Sequence, residues 1–179
     1  TLFMLALPGS VYLYQGEELG LPEVIDIPDA ARQDPTFART GGTSYGRDGA
    51  RVPLPWVAGA PSQGFGPPEA PTGASWLPTP PTWASYARDS QEGIPDSTLE
   101  VYRAALALRR AHGLGAGGLA WLASGDPDLL SFRSGEVVVV VNTGPRTVPL
   151  PAGQVLVASG PLGEGRLPCD TTVWLRDAG

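Results

Sequence analysis

The stretch SVYLYQGEELG (10–20) decides the reading of the chain. Val11–Tyr14 is β-branched and aromatic and apolar on both faces, the pattern of a strand covered on both sides. Gln15-Gly16-Glu17-Glu18 follows directly, so two acids stand at the carboxyl end of that expected strand. In parallel α/β folds this is the end at which loops build ligand sites. The local pattern alone is satisfied equally well by two acids that cap or salt-bridge their own loop.

Upstream, TLFMLAL (1–7) reads as the tail of a buried helix broken by Pro8-Gly9. It lacks a basic leader and is too short to span a bilayer, and no later stretch is long and apolar enough to do so. The segment reads as a start inside a domain, with more of the protein preceding it.

Downstream, the 24 Gly and 20 Pro of the 179-residue chain are enriched between residues 41 and 95, which predicts a long irregular segment between two better ordered ends. Within it, Asp29–Arg39 predicts a short helix. YGRDGARVPLPW (45–56) then gathers two Arg, an Asp and a Trp around Gly46 and Gly49. Guanidinium forks suit carboxylates and sugar hydroxyls, and indole faces suit sugar rings. The alternative is a loop whose Arg residues pair with neighbouring acids. Trp76 and Trp83 are expected to pin the Pro-rich segment by burying their rings.

From residue 97 the pattern changes. Ser97 and Glu100 have capping-box spacing. Leu99, Tyr102 and Leu106, with Val101, Ala105 and Leu108, form an apolar helical face. Arg109 and Arg110 suit the negative helix end, and Gly113 or Gly115 can stop the helix. His112, the single His, reads as a residue of this terminus and not as a general base. Beyond residue 119, short alternating segments separated by Gly, Pro, Asp and Asn predict a small antiparallel sheet or sandwich, with Val137–Val141 as its central strand.

Charge and cysteine content exclude several function classes. The net charge of −6, with Arg for every basic side chain but the His, provides no basic surface for nucleic acid. A single Cys169 excludes an internal disulfide framework and a multi-thiolate metal centre, and fits a reducing compartment. No acidic cluster has the loop spacing of a Ca²⁺ site.

Four motifs in order, LPGSVYLYQGEELGLPE, GRDGARVPLPW, GFGPPEAPTGASWLPTP and VYRAALALRR, resemble those of the α-amylase superfamily, glycoside hydrolase family 13, and in particular its α-glucosidase and oligo-1,6-glucosidase branch. The resemblance covers residues 1 to about 113. It implies an α/β fold: the C-terminal end of a (β/α)8 barrel, with Val11–Tyr14 as its last strand, over residues 1–115, followed by an antiparallel β domain over 116–179. It implies a cytoplasmic retaining α-glucosidase that acts on small malto- or isomalto-oligosaccharides, with no cofactor, no metal, no nucleic-acid partner and no membrane.

A glucosyl transferase or a sucrose/maltose isomerase on the same scaffold, and a non-catalytic carbohydrate-binding β module, are the alternatives. The family's catalytic carboxylates belong to earlier strands, and their motifs are not in this sequence. The fragment alone is therefore expected to be inactive, with no catalytic residue of its own. What the resemblance carries over is binding: Arg47 or Arg51 would hold the terminal glucose. Tyr45 replaces a basic residue common in the branch, and Val52-Pro53-Leu54 stands where Thr-Pro-Met is frequent.

Overall fold

A computed structural model describes residues 1–69 and 75–176. Residues 70–74 of the Gly- and Pro-rich motif, and Asp177 at the end of the expected last strand, lie outside the described residues. The chain divides into two compact units, Tyr14–Leu99 in one, and Thr1–Leu13 with the residues from Glu100 onward in the other.

The second of these units is built on helix packing against a sheet. Helix α1 (Leu2–Ala6) has five residues, too few to hold itself in water. It persists because Leu2, Leu5 and Ala6 are buried in a core with Ala105, Phe132, Val139 and Trp174. Two side chains tie its start: Trp174 Nε1 donates to Leu2 O at 3.2 Å and Tyr102 Oη to Thr1 Oγ1 at 2.8 Å.

In the other unit, a short 3₁₀ turn at Glu17–Leu19 is followed by another at Asp29–Ala31 and by helix α2 (Pro35–Arg39). Helix α3 (Arg88–Gln91) closes its sequence. Val24, Ile27, Val52, Leu77 and Trp83 form its core. Trp83 is buried as expected of a pin, whereas Trp76 is exposed. Gln91 staples this irregular unit: its amide donates to Leu19 O at 3.0 Å and Tyr86 O at 2.8 Å, and its Oε1 accepts from Leu99 N at 3.1 Å.

Helix α4 (Thr98–Ala111) runs where the capping signal and apolar spacing predict, and Gly113 ends it at φ +62°. The sheet that follows has strands β1 (Ala120–Trp121), β2 (Leu129–Ser134), β3 (Val137–Asn142), β4 (Val148–Pro149), β5 (Gln154–Ala158), β6 (Arg166–Leu167) and β7 (Thr171–Arg176). Five form an antiparallel sheet in the order β1-β2-β3-β7-β5, and β4 with β6 makes a two-stranded ribbon. The valine run is the middle strand because each of its faces is buried: Val139 is paired with Phe132 on one side and Trp174 on the other. Asn142 ends it, donating its amide to the carbonyls of Arg146, Leu167 and Pro168.

Two local expectations are corrected. Val11–Tyr14 forms no ladder with any described residue, and Tyr12 and Tyr14 stay exposed. β-Propensity selects a residue that fits a sheet, but a strand also needs a neighbour to take its N–H and C=O groups. The single helix expected over Asp29–Arg39 is broken at Arg32–Asp34, because Pro35 excludes helical backbone before it and serves as the first residue of α2. Among the described residues no helix is long and apolar enough to cross a membrane.

Candidate functional site

The loop around GRDGAR is held by two acids that reach across in opposite directions. Asp34 caps α2: its Oδ1 accepts from Thr36 N at 2.8 Å. Its Oδ2 accepts from Arg47 N at 2.9 Å and from the Arg51 guanidinium at 3.1 Å. The N–H groups of Thr36 and Arg47 bind the ionised form, and Arg51 adds attraction, so the Asp34 pKa is lowered from 3.8 to about 2 against the opposing effect of burial. In return, Asp48 Oδ2 accepts from Gln33 N at 2.8 Å and Asp34 N at 2.9 Å. Asp48 is fully buried, and its Oδ1 has no hydrogen-bond partner among the described residues.

Glycine is required where these segments touch. Gly46 has φ +68°, and a Cβ there would stand 2.7 Å from Asp34 Oδ1 and 2.8 Å from Asp34 Cβ. Gly49 packs as tightly: a Cβ would meet the Val24 carbonyl oxygen and lie 2.8 Å from Glu23 Cγ. The loop backbone is therefore fixed to residues 24 and 33–34 before any ligand is considered.

The two expected sugar-binding residues are placed differently. The Arg51 side chain is 39% exposed and paired with Asp34, whose side chain is 7% exposed. Arg47 is exposed, and among the described residues no acid pairs with its guanidinium. Asp34 anchors both, one through a backbone N–H and the other through its side chain.

The acids of QGEELG serve their own turn. Glu17 Oε1 accepts from Tyr14 N at 3.2 Å and Glu18 Oε2 from Gly16 N at 2.9 Å. The flanking glycines take left-handed backbone, φ +94° at Gly16 and +70° at Gly20. The turn also lines a cavity of about 200 Å³, to which Gln15 and Glu17 contribute along with Gly49, Ala50 and Trp83. The two motifs singled out in the sequence thus meet at one cavity, while neither Arg47 nor Arg51 lines it. Among the described residues no group of three or more His, Cys, Asp or Glu could hold a metal ion. His112 Nδ1 lies 2.8 Å from Glu136 Oε1, far in sequence from these motifs, which fits a terminal helix residue.

Sequence reading missed Asp34 as the organising acid. Its single signal is the Asp34-Pro35 pair, a helix-start signature, and that says nothing of the loop 13 residues later which the same carboxylate holds.

Fold and motifs define a class, carbohydrate-active enzymes built on the (β/α)8 barrel. The family profile "Alpha amylase, catalytic domain" matches residues 1–117. The chain belongs to the α-amylase family, in its α-glucosidase branch, and has the fold of the C-terminal end of the barrel followed by a small antiparallel β domain. A probable alpha-glucosidase of Rhizobium meliloti (strain 1021) is 38% identical over 110 residues, 61% of this chain and 18% of that protein. A probable oligo-1,6-glucosidase 2 of Bacillus subtilis (strain 168) is 28% identical over 142 residues, 69% of this chain and 24% of that protein. Among solved structures, the alpha-glucosyl transfer enzyme XgtA is 32% identical, with a TM-score of 0.71 over 98% of this chain and 34% of its own. The chain thus spans roughly a fifth of the length of these curated relatives.

Proposed function

We propose that these residues are the C-terminal portion of a cytoplasmic, retaining α-glucosidase that removes terminal α-linked glucose from small malto- or isomalto-oligosaccharides. In this reading residues 1–115 complete the catalytic barrel and 116–179 form an accessory β domain. The reaction needs two carboxyl groups about 5 Å apart, one as nucleophile and one as acid/base, with a glycosyl-enzyme intermediate opened by water. We place those groups outside residues 1–179. The contribution of this chain is the binding wall, with Arg47 or Arg51 donating to the hydroxyls of the terminal glucose.

The observation that carries the reading is the Asp34–Asp48 clamp. It fixes the backbone of the Arg47–Arg51 loop by hydrogen bonds that exist without substrate, and preorganised donors bind at a lower entropic cost. The test is glucose release from maltose and isomaltose by the intact protein and by its Arg47→Ala and Arg51→Ala variants. A KM raised about tenfold or more in at least one variant is expected from loss of a charge-assisted hydrogen bond. Unchanged kinetics in both would remove these residues from the site.

A second reading is transfer of the glucosyl group to a sugar acceptor on the same scaffold, including sucrose or maltose isomerisation. The 32% identity to an alpha-glucosyl transfer enzyme favours it. Oligosaccharide products longer than the substrate, or isomeric disaccharides of the same length, would distinguish it from hydrolysis.

A further inference from the structure

Tyr45 stands immediately before the clamped loop and is 56% exposed, although its ring is held from beneath. The guanidinium carbon of Arg32 lies 3.9 Å from the ring centroid of Tyr45 and 5.5 Å from that of Phe37. The two rings are stacked, with centroids 5.9 Å apart and planes inclined by 20°. Arg32 and Phe37 thus both pack against the Tyr45 ring. More than half of Tyr45 stays exposed beside these two neighbours.

The support beneath the ring is rigid. The Arg32 side chain is 4% exposed, with Nε 3.4 Å from Asp29 Oδ1 and Nη2 3.4 Å from Ile25 O. Both of those contacts are long for hydrogen bonds, and the Tyr45 ring, with its centroid 3.9 Å from the guanidinium carbon, adds a cation–π contact to them. Phe37 sits in α2, whose N-cap is Asp34. The carboxylate that anchors Arg47 and Arg51 thus also fixes the helix that backs Tyr45. An exposed aromatic ring and two guanidinium-bearing residues are carried on one stretch of chain, Tyr45–Arg51.

We infer that Tyr45 is a specificity-determining residue: its exposed ring is a platform for a pyranose ring of the oligosaccharide, stacked through the sugar's apolar C–H face. The inference rests on the α-glucosidase reading and adds to it a second sugar contact, next to the hydroxyl-binding Arg47 or Arg51. A packing role alone would be served by any apolar side chain that covers Arg32. A platform needs the flat ring but not the phenol oxygen.

The experiment uses the intact protein with maltotriose, and measures KM and kcat separately for Tyr45→Leu and Tyr45→Phe. Tyr45→Leu keeps an apolar cover on Arg32 and removes the ring; KM should rise about three- to tenfold, the range that aromatic stacking supports. Tyr45→Phe keeps the ring and should stay within about twofold of the parent KM. Equal KM in the parent and in Tyr45→Leu overturns the platform, and so does a Tyr45→Phe defect as large as that of Tyr45→Leu. Thermal unfolding of each variant checks that the loop is intact. Were Tyr45→Leu to unfold, the Tyr45→Phe comparison and the upfield shift of Tyr45 ring protons on maltotriose addition to the parent decide the matter, with no shift counting against the platform. Failure of the underlying reading is separate: the parent protein would then release no glucose at all.

Discussion

Gly46→Ala is the substitution that most directly strains the clamp, and its cost can be separated into two parts. The first is conformational. Gly46 has φ +68°, and a Cβ in left-handed backbone costs about 1–2 kcal/mol. The second is contact: the new Cβ would lie 2.7 Å from Asp34 Oδ1 and 2.8 Å from Asp34 Cβ. Overpacking of this kind costs about 1–3 kcal/mol. Gly41 supplies the control, because it has φ +59° and, among the described residues beyond its chain neighbours, no atom within 4 Å of the place its methyl group would take.

Gly41→Ala should therefore carry the first cost alone, and Gly46→Ala both. The assay is amide hydrogen exchange at Arg47, whose N–H donates to Asp34 Oδ2. The excess cost at Gly46 predicts exchange about five- to a hundredfold faster than in Gly41→Ala. Equal protection of Arg47 N–H in the two variants would show that Asp34 moves freely and that the loop is not preorganised.

Two further outcomes are expected. The Asp34 pKa is lowered from 3.8 to about 2, so the ionised carboxylate stabilises the fold fully above pH 3.8 and progressively less as pH falls through about 2; the Arg47 and Thr36 amide resonances should follow a midpoint near 2, and one at 3.8 would contradict the hydrogen-bonded cap. Arg109 donates to Leu5 O and Leu7 O, both at 2.6 Å, and to Gly9 O; Arg109→Met should cost about 1–3 kcal/mol in urea unfolding, and an unchanged midpoint would mean that water replaces all three bonds.

The regular parts of the fold were legible because their period is local. Helix α4 is written in apolar residues at helical spacing and a capping signal, and β3 in a run of valines between turn residues. Val11–Tyr14 has the same local credentials as β3 and still forms no ladder with any described residue, since a strand also needs a neighbour to take its backbone bonds and a local pattern does not name one. The site was legible in outline only. Glycines around two Arg and an Asp marked the loop, but a clamp between Asp34 and Asp48 joins segments 14 residues apart with no period linking them. Nor does composition reveal that Tyr45 rests on a buried Arg32, because a cation under a ring leaves no pattern in the order of residues.

The stereochemistry of glucose release decides whether the retaining mechanism holds. Proton NMR of maltose mixed with the intact protein, read before mutarotation, reports which anomer of glucose appears first from the non-reducing end. A retaining double displacement predicts α-glucose, with none formed when the 179-residue chain replaces the intact protein. β-Glucose as the first product, or release by residues 1–179 alone, would contradict the mechanism and the placing of its carboxylates.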